Sequence, residues 1–262
     1  MPGAPTPETS TPLREVEAIR YVTALREGGS LPGLVEGDDD GTWVVKFRGA
    51  GQGPGALVAE VVAGEIARHA GLPVPELVLV DIAPELGQAE PDPEIQELIE
   101  ASPGLNLGMD FLPGALPFAL PTDEEFDPEL AADIVFFDAL VTNIDRTPRN
   151  PNLLTWHGRT WLIDHGAAFY RQHGAVPLAE TATSPTPVLR DHVLLPVAGP
   201  LAEAGERLTA AVEGAIDPAL AAVPEGWLGD DPEARREDFA LFLQRRLGAR
   251  DVFIAELEGE DG

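Results

Sequence analysis

Between Asp127 and Gly166 the apolar period of this chain changes twice, and that switch limits the architectures open to it. Leu130, Ile134, Phe137, Leu140 and Val141 recur at the spacing of one helix face over 128–142. NIDRTPRNPN, residues 143–152, holds too much Pro and Asn to continue that helix. LLTW, a His157-Gly158 turn and TWLID then alternate as a β-hairpin does. A helix, a polar loop and a hairpin in direct succession call for a mixed α and β architecture.

The polar residues of this stretch point to one chemistry. Asp145 and Asn150 stand five residues apart in the loop, and the hairpin ends in Leu162-Ile163-Asp164-His165-Gly166. Phosphoryl transfer needs a carboxylate that positions the acceptor and oxygen ligands that hold Mg²⁺ against a triphosphate. Asp145 suits the first role; Asn150 and Asp164 suit the second. Any one of them alone would serve equally as a turn residue or cap, so the reading rests on the ordered set.

Lys46 extends the set. It is the one Lys among 17 basic residues, and it falls in the second of two strands expected over 31–36 and 42–48. Alternation sends it to the face opposite Val45 and Phe47. A helix expected over 56–70 offers Glu60 and Glu65, and a strand Lys held by a Glu of the next helix can pin ATP phosphates. GAGQGPG, residues 49–55, lies between strand and helix and invites a competing dinucleotide-binding reading, with Asp81 as the ribose acid. Its spacing departs from G-x-G-x-x-G, and Asp81 lies some 30 residues beyond Gly51 rather than about 20.

The remaining expectations are coarser. Residues 1–12 read as a disordered Pro/Thr-rich tail, and 13–27 as a short helix or a helix-strand start. Gly37-Asp38-Asp39-Asp40-Gly41 reads as an acidic hairpin turn. Strands are expected over 72–82 and 105–114, helices over 93–101, 197–214 and 232–256, and an acidic tail over 257–262.

A net charge of −28 leaves no basic face for a nucleic acid backbone, so nucleic acid is excluded as a primary partner. The same charge repels ATP unless a local Lys and Mg²⁺ offset it. With no Cys, disulfides and thiolate metal sites are out. No apolar run reaches a membrane span and no signal peptide opens the sequence, so a cytoplasmic location is expected.

With these residues in place, the chain resembles the HipA-like branch of the protein-kinase/phosphatidylinositol-3/4-kinase-like fold over most of residues 28–172. The resemblance is carried by GGSLPGLVEGDDDGTWVVKF, ALVAEVVAGEIARHAGLPVPELVLV, GMDFLPG, FFDALVTNIDRTPRNPNLL and WLIDHGAAF. It implies an α+β, two-lobed protein-kinase-like fold, with a strand-rich N-lobe over 13–115 and a mainly helical C-lobe over 116–256. By position it implies Lys46 as the ATP-phosphate lysine, Glu60 as its partner, and Ser30 in the phosphate loop. Met109, Asp110 and Phe111 would form the hinge whose backbone meets adenine. Asp145 would be the catalytic aspartate, and Asn150 and Asp164 the Mg²⁺ ligands; GAGQGPG becomes a lobe connection. The implied activity moves the γ-phosphoryl group of ATP to a hydroxyl acceptor, protein Ser/Thr first, with an ATP-binding pseudokinase as the alternative. The sequence departs from the family at Thr147, where His is common, at His165, the middle of an Asp-Phe-Gly-type motif, and at Pro32, where a basic residue is frequent.

Overall fold

The computed structural model describes residues 12–25, 31–50, 53–119 and 126–259. The expected N-terminal tail up to residue 11, Ser30 of the expected phosphate loop, Gly51 and Gln52, and the last three residues of the acidic tail lie outside them.

Five strands close into a barrel: β1 (Glu15–Ala24), β2 (Gly33–Gly37), β3 (Thr42–Lys46), β4 (Leu77–Ile82) and β5 (Gly104–Asp110). Their order is β1-β2-β3-β5-β4, with β4 returning to β1 in parallel through Val16 opposite Val80. Alternate residues point inward, so Val16, Val35, Trp43, Val45, Phe47, Val78, Val80 and Ile82 fill the interior. The space is tight at Gly108, where a Cβ would come within 2.6 Å of Val80 and 2.8 Å of Val78. Helix α1 (Gly53–His69) follows β3, and α2 (Pro93–Glu100) adds Ile95 and Ile99 to the barrel core.

Within the stretch 13–27, residues 15–24 are therefore strand, not helix. Its apolar residues fit either period, but Val16 and Ala18, two apart, are the buried ones, and the ladders to β2 and β4 satisfy its backbone. The acidic turn holds: Gly37 N–H donates to Gly41 O at 3.0 Å, and Asp39 Oδ1 accepts from Gly41 N–H and the Trp43 indole at 3.0 and 3.2 Å. The dinucleotide alternative fails on topology. It needs β3 and β4 as neighbours in a parallel sheet, yet β5 lies between them, antiparallel to both.

The second half is helical around one small sheet. Helix α3 (Pro128–Leu140) starts at Asp127, whose carboxylate accepts from Glu129 N–H at 3.0 Å, with Pro128 in the first turn. Strands β6 (Leu116–Pro117), β7 (Leu153–Trp156) and β8 (Arg159–Leu162) form the sheet. Helix α4 (Leu201–Ala221) runs past the expected end at 214 and carries Pro218 in its last turn. The helix expected over 232–256 is two, α5 (Pro232–Gly248) and α6 (Arg250–Glu258), broken at Ala249. The larger core joins α1, α3 and α4 through residues such as Val62, Phe136, Phe137, Leu208 and Val212. Among the described residues no helix is long and apolar enough to cross a membrane.

Candidate active site

Alternation in β3 puts Val45 inside the barrel and turns Lys46 outward toward α1. There its ammonium donates to Glu60 Oε1 and, at 2.7 Å, to Asp164 Oδ1. Glu60 is buried, and its second oxygen accepts the His165 backbone N–H at 2.9 Å. The other candidate, Glu65, pairs instead with Arg68 on its own helix. Burial opposes the charge on Lys46, but Glu60 and Asp164 outweigh it and hold the ammonium above the ordinary lysine value. Burial, against the pull of Lys46, pushes Glu60 up to about 7. Asp164 resists its own burial and is held well below the usual carboxylate range by Lys46.

Asp145 faces the same space. A tight turn, with Thr147 N–H on Asp145 O at 2.9 Å and Asn150 N–H on Thr147 O at 3.0 Å, folds the loop back. It brings the Asn150 amide nitrogen to Asp145 Oδ2 at 2.7 Å. Thr147, the residue in place of His, supplies its hydroxyl to that turn, accepting Asn150 N–H at 3.3 Å. Lys46, Glu60, Asp145, Asn150 and Asp164 together line a cavity of about 340 Å³, closed on its apolar side by Phe47, Leu57, Phe118, Leu153 and Ile163.

The loops around this cavity carry left-handed backbone at Thr142, Asn152, Asp164 and Phe169, with φ between 49° and 56°. Each costs about 1–2 kcal/mol for a residue with a Cβ. Strain of this kind gathers where geometry serves function.

Beneath the loops lies a polar cluster that the motifs did not reveal. Asp138, near the end of α3, accepts from Arg146 Nε at 2.5 Å, from His192 Nε2 at 2.9 Å and from Asn143 Nδ2 at 3.0 Å. His192 Nδ1 accepts Leu194 N–H at 3.1 Å, so its Nε2 carries the proton given to Asp138. All four side chains are buried. Arg146 holds the Asp138 carboxyl, which burial alone would raise, far below the ordinary range, with help from His192. The one available signal was Asp138 itself, an acid inside the apolar run IVFFDALV.

His165 occupies the middle of the Asp-x-Gly motif as an apolar residue would. It is buried edge-on to Phe137, ring centroids 6.4 Å apart, and burial pushes its pKa down to about 3, leaving the ring neutral.

Two sequence expectations are not seen at the cavity among the described residues. Ser30 lies outside the described residues. Met109, Asp110 and Phe111 are absent from the cavity lining, and the Asp110 and Phe111 N–H groups already donate to Glu76 O and Thr42 O at 2.9 and 3.1 Å.

The donor set fits a divalent metal held jointly with phosphate. Asn150 keeps its amide oxygen and Asp164 its second carboxylate oxygen after the contacts above, and both residues line the cavity. The described residues hold no cluster of three or more His, Asp or Glu able to form a metal cage, and a Mg²⁺ shared with substrate phosphates needs only one or two such ligands.

Three kinds of comparison bear on this arrangement. No curated protein matches the sequence. Among solved structures, the Helicobacter pylori proinflammatory kinase CtkA gives a TM-score of 0.58 at 15% identity, covering 95% of this chain and 99% of that one. The Golgi casein kinase with Mn/ADP bound gives 0.46 at 12% identity, covering 96% and 74%. The likeness to CtkA is one of fold: an α+β, two-lobed kinase architecture, strand-rich first and helical second. A family model for HipA-like kinases matches residues 18–249, which takes in the barrel, both polar loops and most of the helical half, and the chain therefore belongs to the HipA-like kinase family.

Proposed function

We propose that this chain is a kinase that uses ATP and Mg²⁺ and transfers the γ-phosphoryl group to a hydroxyl, with protein Ser/Thr the leading acceptor. One observation carries the reading: Lys46 bridges Glu60 and Asp164 across a cavity that Asp145 and Asn150 also line. Lys46 neutralises phosphate charge, and Glu60 aims it. Asn150 and Asp164 hold the metal, which when bound offsets the negative charge on the phosphates. Asp145 accepts a hydrogen bond from the acceptor hydroxyl and takes its proton as the new P–O bond forms and the bond to the β-phosphate oxygen breaks, releasing ADP. A dissociative phosphoryl transfer asks mainly for this positioning and electrostatic work.

The direct test is γ-labelled ATP with Mg²⁺ on wild type, Asp145→Ala and Lys46→Arg, following label transfer and nucleotide-induced thermal stabilisation. Asp145→Ala is expected to lose about 10²–10⁴-fold in turnover while still being stabilised by nucleotide. Lys46→Arg keeps the charge but replaces a compact ammonium with a planar fork, and roughly 100-fold loss is expected. Stabilisation of wild type by ATP with no transfer to any acceptor would replace this reading with the pseudokinase one.

A further inference from the structure

The buried cluster under the active-site loops does work that fold stability alone does not explain. Arg146 is 1% exposed, yet its guanidinium donates to three separate parts of the chain. Nε takes Asp138 on α3. Nη1 takes the carbonyl of Asn152, two residues after Asn150, and that of Ile163 at 3.3 Å, directly before Asp164. The Arg146 backbone carbonyl in turn accepts Val193 N–H at 3.0 Å, beside His192. One side chain adjacent to Asp145 therefore ties down the chain next to Asn150 and next to Asp164.

As a stabilising device the arrangement is poor. A buried ion pair must offset the loss of hydration of both charges, and apolar residues of similar volume often do as well or better. Here Arg146 Nη2 is also buried without a hydrogen-bond partner, a further cost. What the guanidinium supplies that no apolar residue could is several donors in one plane at fixed angles. Asn152 and Asp164, in the two tied segments, both have left-handed backbone, a conformation that persists only where the surroundings over-determine it.

We infer that Arg146, oriented by Asp138 and His192, is the positioning residue that sets the mutual spacing of Asp145, Asn150 and Asp164. His192 lies in the chain beyond the Asp164 segment, so the hub also links that part of the chain to the loop of Asp145. The inference rests on the kinase reading for its kinetic consequence, not for its structural one.

Arg146→Lys is the primary variant, because it keeps a cation beside Asp138 while a single ammonium cannot serve Asp138 and both carbonyls together. His192→Gln, which retains an N–H for Asp138, and His192→Leu, which does not, form a second pair. Two readouts are needed: steady-state kinetics with MgATP, and amide hydrogen exchange over 143–152 and 163–169. For Arg146→Lys, exchange is expected to quicken in both loops while α4 and α5 stay protected. kcat is expected to fall by about 100-fold, the scale of a 1 Å misplacement, with the KM for ATP within about threefold. His192→Leu should follow in the same direction and His192→Gln should restore most of the loss. Unchanged exchange in both loops, or loss of protection spread evenly over the helical half, would overturn the inference. Loosened loops in a protein whose wild type transfers no phosphoryl group would leave the hub standing and remove the kinase reading instead.

Discussion

Lys46 illustrates how one side chain draws its meaning from two others. Its ammonium is partly buried, but Glu60 and Asp164 keep it charged, as the proposed contact with phosphate requires. His165 is the opposite case, a titratable group kept neutral by burial. Its pKa is about 3 in the fold against about 6.5 in the unfolded chain. The unfolded state therefore takes up a proton first on acidification. The His165 contribution to stability is complete above pH 6.5 and is lost as pH falls toward 3, by at most about 1.4 kcal/mol per pH unit. Glu60 acts in the other direction, since a carboxyl raised to about 7 favours the fold as pH drops from 7 toward 4.5. Asp138, held below the ordinary range, contributes fully until pH falls under about 3.8. Comparison of His165→Phe with wild type isolates the histidine: urea unfolding at pH 7.5 and 5.0 is expected to show a smaller acid-dependent loss of stability in the variant. Equal losses in the two proteins would show that His165 is not buried neutral.

At the scale of elements, the barrel sets the outward direction of Lys46, and its tight interior makes it sensitive to overpacking. Gly108→Ala places a methyl against Val78 and Val80 on the adjoining strand, and a loss of about 1–3 kcal/mol is expected in denaturant unfolding. The hairpin turn, β2, β3, α1, α3 and the β7–β8 hairpin were all legible because each carries its own period and turn residues. β1 was not: nothing within 13–27 shows that β4, over 50 residues later, will pair with it in parallel. The site divides the same way. That Lys46, Glu60, Asp145, Asn150 and Asp164 would meet at one cavity was suggested by their type and order within short motifs and by the family resemblance. The hub was not, because Asp138 and His192 are 54 residues apart and their meeting is decided by packing.

For the molecule as a whole, the charge of −28 shapes what can approach the cavity. Like-charged partners are repelled and basic ones drawn in, and the attraction weakens as salt shortens the screening length to about 10 Å at 0.1 M. A Ser/Thr peptide flanked by Arg or Lys is expected to be phosphorylated with a higher kcat/KM than an acid-flanked one, and the advantage should shrink between 50 and 500 mM NaCl. An acid-flanked peptide preferred at low salt would contradict this. The assembly of Lys46 with Asp145, Asn150 and Asp164 around one cavity is tested most directly by transfer of γ-labelled phosphate from ATP in the presence of Mg²⁺, with wild type and Asp145→Ala side by side. Label is expected on the protein or an added acceptor with wild type, and a loss of about 10²–10⁴-fold in the variant, with nucleotide still bound. Neither binding nor transfer of ATP by the wild-type protein would contradict it.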